Sequence, residues 1–152
     1  AVHWTSPLGL KIKQRYVDTK ATRIRTLLGE KISFVKWQEP LSDLDKVRQA
    51  NGISPNFVHS LDASVAQSTA NYAKDHGIHS LAMVHDSFAT HCNKCDRLSV
   101  LIRKSASEIF SIDLLAKFRD EIKQQTKKEL PDLPLYGSLD PLEVSGSDYF
   151  FA

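Results

Sequence analysis

The stretch that decides the fold is LAMVHDSFATH, residues 81 to 91. Leu81 to Val84 read as a short apolar strand. The strand breaks at His85, Asp86 and Ser87 and resumes at Phe88. A carboxylate buried without a partner costs several kcal/mol, so a sequence that keeps one at such a point gives it a partner or a job. The triplet therefore sits at or beside the turn of a hairpin, which exposes side chains, between strands at 80–84 and 88–91.

Helices are expected on both sides of that hairpin. Upstream, Ser54 and Pro55 read as an N-cap and first helical position and Gly77 as the terminator, bracketing a helix of about 22 residues. Residues 100° apart place Phe57, Val58, Leu61, Val65 and Tyr72 on one stripe, the expected core face. His59, Ala63, Ala66, Ala70 and Ala73 fall on a neighbouring arc. A histidine flanked by alanines can be approached closely by another element or a ligand, or can be satisfied by a nearby backbone group. Downstream, Asp96 is the expected cap of a helix with Leu98, Leu101, Ile102 and Ile109 at helical spacing. Leu114, Leu115, Phe118 and Ile122 mark another, stopped by ELPDLPLYG at 129–137.

The first third of the chain alternates. LKIKQRYV, with Pro7 and Gly9 before it, reads as a hairpin over residues 2 to 17. TRIRTLLGEKISFVKW, residues 22 to 37, reads as a second, with a turn around Leu28 to Lys31 that puts Arg23 and Arg25 on one face. Between Lys11 and Trp37 stand eight cations, Lys31 and Lys36 among them, and two anions, although the whole chain carries only +2. Such a stripe is either a solvated strand face or the footprint of a nucleic-acid contact. A polar connector, with a short helix over Ser42–Ala50, is expected to follow. The fold class is thus α+β: a small antiparallel sheet backed by helices, with a basic hairpin near the start.

The composition, 41% apolar and 25% charged over 152 residues, is that of one globular domain. No run approaches the roughly 18 apolar residues of a membrane span and no secretory leader opens the chain, so an intracellular protein is expected. Cys92 and Cys95 are the only cysteines. With His91 beside them they raise the question of zinc, but a structural zinc site takes four ligands and the other half is not visible, so ordinary loop cysteines are expected. The first residue is not Met, and the chain is expected to be cut from something longer. The closing SDYFFA is aromatic and apolar, which predicts a docked terminus.

GISPNFVHSLDAS (52–64), MVHDSFATH (83–91) and SDYFFA (147–152), in that order and spacing, resemble the C-terminal part of single-subunit DNA-directed RNA polymerases of the bacteriophage and mitochondrial type. VHWTSPLGL resembles the family segment that precedes the promoter-reading hairpin, so the resemblance covers essentially the whole chain. It implies a palm-type sheet in which Asp86 is one of two carboxylates holding catalytic Mg²⁺, with His85 supporting the site. The resemblance also implies that His59 lies near the ribose of an incoming nucleotide and that Phe151 and Ala152 belong to a terminus folded back toward the active site. Residues 1–50 match the specificity-loop region, in which Arg23, Arg25, Lys31 and Lys36 face DNA, and residues 51–152 match the palm portion. The implied partners are template and promoter DNA, nascent RNA, ribonucleoside triphosphates and the remainder of the polymerase, with no membrane. The implied setting is the cytoplasm of a phage-infected bacterium, or alternatively a mitochondrion.

The family's second metal-binding aspartate and its nucleotide-binding lysine and tyrosine helix precede the segment present here, so the isolated chain is expected to be inactive. LDAS at 61–64 superficially resembles an Asp-Gly-Ser motif but sits inside the expected helix. A non-catalytic DNA-binding module is the alternative, against which an exposed acid near a phosphate path argues. A metal-dependent hydrolase on His85, Asp86 and His91 is short of ligands.

Overall fold

A computed structural model describes residues 1–147, 149 and 150. Its contacts divide into two units, one comprising Ala1–Val2 and Lys13–Pro55, the other His3–Ile12 and Asn56–Ala152. The architecture is α+β, with three two-stranded sheets and three α-helices among the described residues. No described helix is long and apolar enough to cross a membrane.

The first hairpin is β1 (Val2–Thr5) and β2 (Lys11–Gln14). Its turn is closed by Ser6 N–H to the Leu10 carbonyl at 2.8 Å and Gly9 N–H to the Ser6 carbonyl at 2.9 Å. The second, β3 (Val17–Leu28) and β4 (Lys31–Leu44), is longer than the alternation predicts. Its strands meet at a two-residue turn, where Gly29 supplies the left-handed φ of 64° that a side chain resists. The expected polar connector is in fact the second half of β4. Pro40, which has no N–H to donate, is tolerated because a two-stranded ribbon consists only of edges. The register shifts between Val17, paired with Leu44, and Thr19, paired with Pro40, which absorbs the extra residues of β4.

The helix expected to begin at Ser54 instead begins at Lys46 and runs unbroken to Asp75 as α1, with Pro55 inside it. Asp45 does the capping: its carboxylate accepts from Arg48 N–H at 2.9 Å, three residues on. The short helix expected over 42–50 is therefore the first turns of α1. Gly52 lies where a Cβ would come within 2.6 Å of the Tyr16 ring, so a residue of low helix propensity stands where the close approach needs it. Gly77 terminates the helix as expected, with φ 73°.

The face that α1 buries also departs from expectation. Val58 is 57% exposed, whereas Ser60, Ser64, Val65, Ser68, Thr69 and Ala73 are buried. Two of these hydroxyls are satisfied within their own helix, Ser60 Oγ donating to the Phe57 carbonyl at 2.6 Å and Ser64 Oγ to the Ser60 carbonyl at 2.7 Å, whereas the buried Thr69 Oγ1 has no hydrogen-bond partner among the described residues. Against this small-residue face packs α2 (Cys95–Phe110), which runs antiparallel to α1. Ala73 packs with Leu98, Leu101 and Ile102, and Val65 with Ala106 and Ile109 further along α2. Asp96 is not the cap of α2. A single 3₁₀ turn, Cys92–Lys94, leads into the helix, and Asp96 sits in its first turn, near the positive end of the helix dipole. The third helix, α3 (Leu114–Thr126), is capped by Asp113, which accepts from Ala116 N–H at 2.9 Å. The Tyr136 hydroxyl and then that amide hold the Asp113 carboxyl below its ordinary range.

One cluster ties the first hairpin to the helices of its unit. Trp4 is 2% exposed, its indole N–H donates to Ser60 Oγ at 3.0 Å, and its ring meets Phe57 and Phe118 edge-on at 6.5 and 6.1 Å. Phe57 and Phe118 lie 4.4 Å apart. The backbone beside it is clamped by α3: His3 N–H donates to Gln125 Oε1 and Thr5 N–H to Glu121 Oε2.

Candidate active-site turn and nucleic-acid hairpin

The opening stretch folds as its alternation dictates. Strands β5 (Ala82–Val84) and β6 (Ser87–Ala89) pair antiparallel with Val84 opposite Ser87, so His85 and Asp86 form the whole connection. Phe88 anchors the hairpin in the core with Ala73, Ile78, Leu98 and Leu101, and Thr90 Oγ1 donates to the Ser80 carbonyl at its base. What remains at the tip is two exposed side chains on a short, fixed mount.

His85 has φ 53°, one of two described non-glycine residues with positive φ. Glycine is the usual occupant of such a position, and among the other residues histidine is, with asparagine and aspartate, one of those enriched there.

No described residue hydrogen-bonds to the side chains of His85, Asp86 or His59. His59 is exposed on α1, so satisfaction by a neighbouring backbone group, which the sequence left open, does not occur among the described residues. The pockets formed by the described residues around Trp4, Phe88 and Phe110 do not include them. A pocket of about 400 Å³ lies elsewhere, beside the aromatic cluster, lined by Trp4, Pro7, Phe57, Leu61 and Phe118. Asp86 stands on a convex turn, and no described group of three or more His, Cys, Asp or Glu side chains is placed to hold a metal ion. A lone exposed carboxylate nonetheless suits Mg²⁺ as one ligand, since that ion keeps several waters and takes one or two carboxylates plus substrate phosphates.

The basic hairpin carries its charges on defined faces. Alternation along β3 puts Arg23 and Arg25 on the same side, and the register adds Lys36, directly opposite Arg23. Lys31, next to the turn and paired with Leu28, belongs to the other face. Like charges directly opposite each other destabilise an antiparallel pair, so Arg23 and Lys36 together make a site that an anion would relieve. That pairing was invisible without the register. So was the placement of Phe34 opposite Arg25, where its ring is 69% exposed. None of the four cations has an ion-pair partner among the described residues.

Phe151 and Ala152 lie outside the described residues. Their neighbour Phe150 packs against Val65, Ala106 and Ile109.

A family model described as DNA-dependent RNA polymerase matches residues 1–130. Over nearly the whole chain there is 37% identity to DNA-directed RNA polymerase 3, chloroplastic, of Nicotiana sylvestris, and 34% to T7 RNA polymerase of Escherichia phage T7. The chain spans 15% and 18% of the lengths of these two relatives. A third relative, DNA-directed RNA polymerase 1A of Nicotiana tabacum, is 34% identical and 94% covered. With the family model matching most of its length, the chain belongs to the single-subunit DNA-dependent RNA polymerase family.

Proposed function

We propose that this chain is the C-terminal palm and promoter-hairpin portion of a DNA-directed RNA polymerase that joins ribonucleotides by two-metal nucleotidyl transfer. The observation that carries this reading is the β5–β6 tip, where Asp86 is exposed beside His85 on a two-residue turn. Extension of an RNA chain requires deprotonation of the attacking 3′-oxygen while charge builds on the leaving pyrophosphate, and paired Mg²⁺ ions supply stabilisation at both oxygens. Asp86 holds the metal from this chain's side. The second carboxylate belongs to the part of the relatives' length that this chain does not span. His85 supports the tip, and His59, exposed on α1, presents an imidazole to the ribose of the incoming nucleotide. Phe151 and Ala152 support the active site from the C-terminus.

On the same reading residues 1–50 act as the promoter-contacting region and 51–152 as the palm portion. Arg23 and Arg25 enter the major groove, where arginine pairs bidentately with guanine, and Lys36 and Lys31 neutralise phosphates. Promoter and template DNA, nascent RNA, ribonucleoside triphosphates and the rest of the polymerase are the partners.

The test is Mg²⁺-dependent incorporation of labelled ribonucleotide on a promoter template by the complete polymerase carrying this chain, with the isolated 152-residue chain assayed in parallel. Incorporation by the complete protein alone is expected. Incorporation by the isolated chain overturns the shared-carboxylate arrangement. Absence from both favours the second reading, a DNA-binding module, to which the Arg23–Lys36 face lends specific support.

Two further outcomes are expected in the complete polymerase. Arg23→Ala or Arg25→Ala should lose roughly 1–3 kcal/mol of promoter discrimination, read as binding to matched and mismatched promoters, and spare elongation on a nonspecific template. A uniform loss of DNA affinity with a shallower salt slope would make these arginines phosphate contacts instead. His85→Gly should relieve the positive φ and leave the melting temperature unchanged or raised, while lowering the elongation rate. Unchanged elongation would make the imidazole dispensable.

A further inference from the structure

We propose that Cys92 and Cys95 form a reversible dithiol–disulfide couple, oxidised by a small disulfide such as glutathione disulfide, on the surface turn that follows the Asp86 hairpin. Both thiols are free and exposed. The residues bracket a single turn closed by Cys95 N–H donating to the Cys92 carbonyl. A hydrogen-bonded turn of this kind holds the Cα atoms of its first and fourth residues within about 7 Å, and a disulfide spans Cα separations of about 4.4–6.8 Å. The backbone therefore already stands near the geometry that a bridge requires.

The turn is also held in place independently of the thiols. Lys94 N–H donates to the His91 carbonyl at 2.9 Å, the Lys94 ammonium reaches the Gly77 carbonyl, and Arg97 donates to the His76 carbonyl at 3.2 Å. The Cys95 thiol itself has only a long contact to the His91 carbonyl, at 3.6 Å, so little is lost when its proton leaves. No described side chain joins the pair in a group of three metal donors, so chemistry that uses two sulfurs alone is what the turn offers.

The step balances without a metal. One cysteine thiolate attacks glutathione disulfide, forming a mixed disulfide and releasing one glutathione. The second thiolate then attacks the protein-side sulfur, closing the Cys92–Cys95 bond and releasing the second. Two electrons pass from the protein to the oxidant, and the two thiol protons end on the two glutathiones. Exposed disulfides are among the labile ones, and a Cys92–Cys95 bridge would be exposed.

The experiment equilibrates the complete polymerase with glutathione disulfide, quenches in acid, alkylates the remaining thiols and reads the peptide containing residues 92–95 by mass spectrometry. Both sites should lose alkylation together and yield an internal bridge that excess reduced glutathione reopens. Cys92→Ser and Cys95→Ser, conservative changes at exposed positions, should each form a glutathione adduct and no bridge. Two thiols that remain alkylatable, or separate adducts on both cysteines of the unaltered protein, would overturn the proposal.

Discussion

Asp86→Asn in the complete polymerase should cut the rate of nucleotide addition by on the order of a thousandfold or more, the scale of a lost electrostatic contact to a transition state, while promoter affinity stays within twofold. The amide occupies nearly the same volume and the side chain is exposed, with no described hydrogen bond to lose, so the fold has no reason to respond. Rapid-quench measurement of single-nucleotide addition over a range of Mg²⁺ concentrations checks this. Recovery at high Mg²⁺ would still place the residue at the metal. An undiminished rate would remove Asp86 from the chemistry altogether.

The second large effect concerns stability. Trp4→Ala removes the most enclosed ring of the aromatic cluster, and large-to-small changes at such sites cost about 3–5 kcal/mol. It also takes the indole donor from Ser60 Oγ and opens the space between Phe57 and Phe118. Denaturant unfolding followed by circular dichroism should show the midpoint falling steeply. Trp4→Phe should recover part of the loss, because it restores apolar volume without the N–H. A cost below about 1 kcal/mol would mean that the neighbouring pocket collapses to fill the void.

Local chemistry explains which parts of this architecture were legible in the sequence. The β5–β6 turn follows from the break in a short apolar alternation, and α2 and α3 follow from apolar residues at helical spacing. The start of α1 was not legible at Ser54-Pro55, because a better cap stands upstream at Asp45 and nothing in the residues between them halts the helix. The buried face of α1 was misjudged for a related reason. Hydropathy ranks serine as outward-facing, yet the Ser60 and Ser64 hydroxyls, bonded to their own helix, behave as small packing residues. The cross-strand pairing of Arg23 with Lys36, and the meeting of Trp4 with Phe57 and Phe118, depend on register and long-range contact. Among the signals available, only the alternation around Trp4 could have marked it as inward-facing.

The clamp between the first hairpin and α3 has a consequence for biosynthesis. His3 and Gln125 are 122 positions apart, and Thr5 and Glu121 are 116 apart. At about 5–20 residues per second, the ribosome needs roughly 6–24 seconds after making β1 before its partners exist. Throughout that interval the indole lacks its Phe118 side and β1 lacks its clamp, and the nascent segment offers an apolar handle to chaperones or to neighbouring chains on the same message. Slow codons between the two segments would lengthen that exposure, so the soluble yield of this polypeptide should depend on translation speed as well as on its final stability.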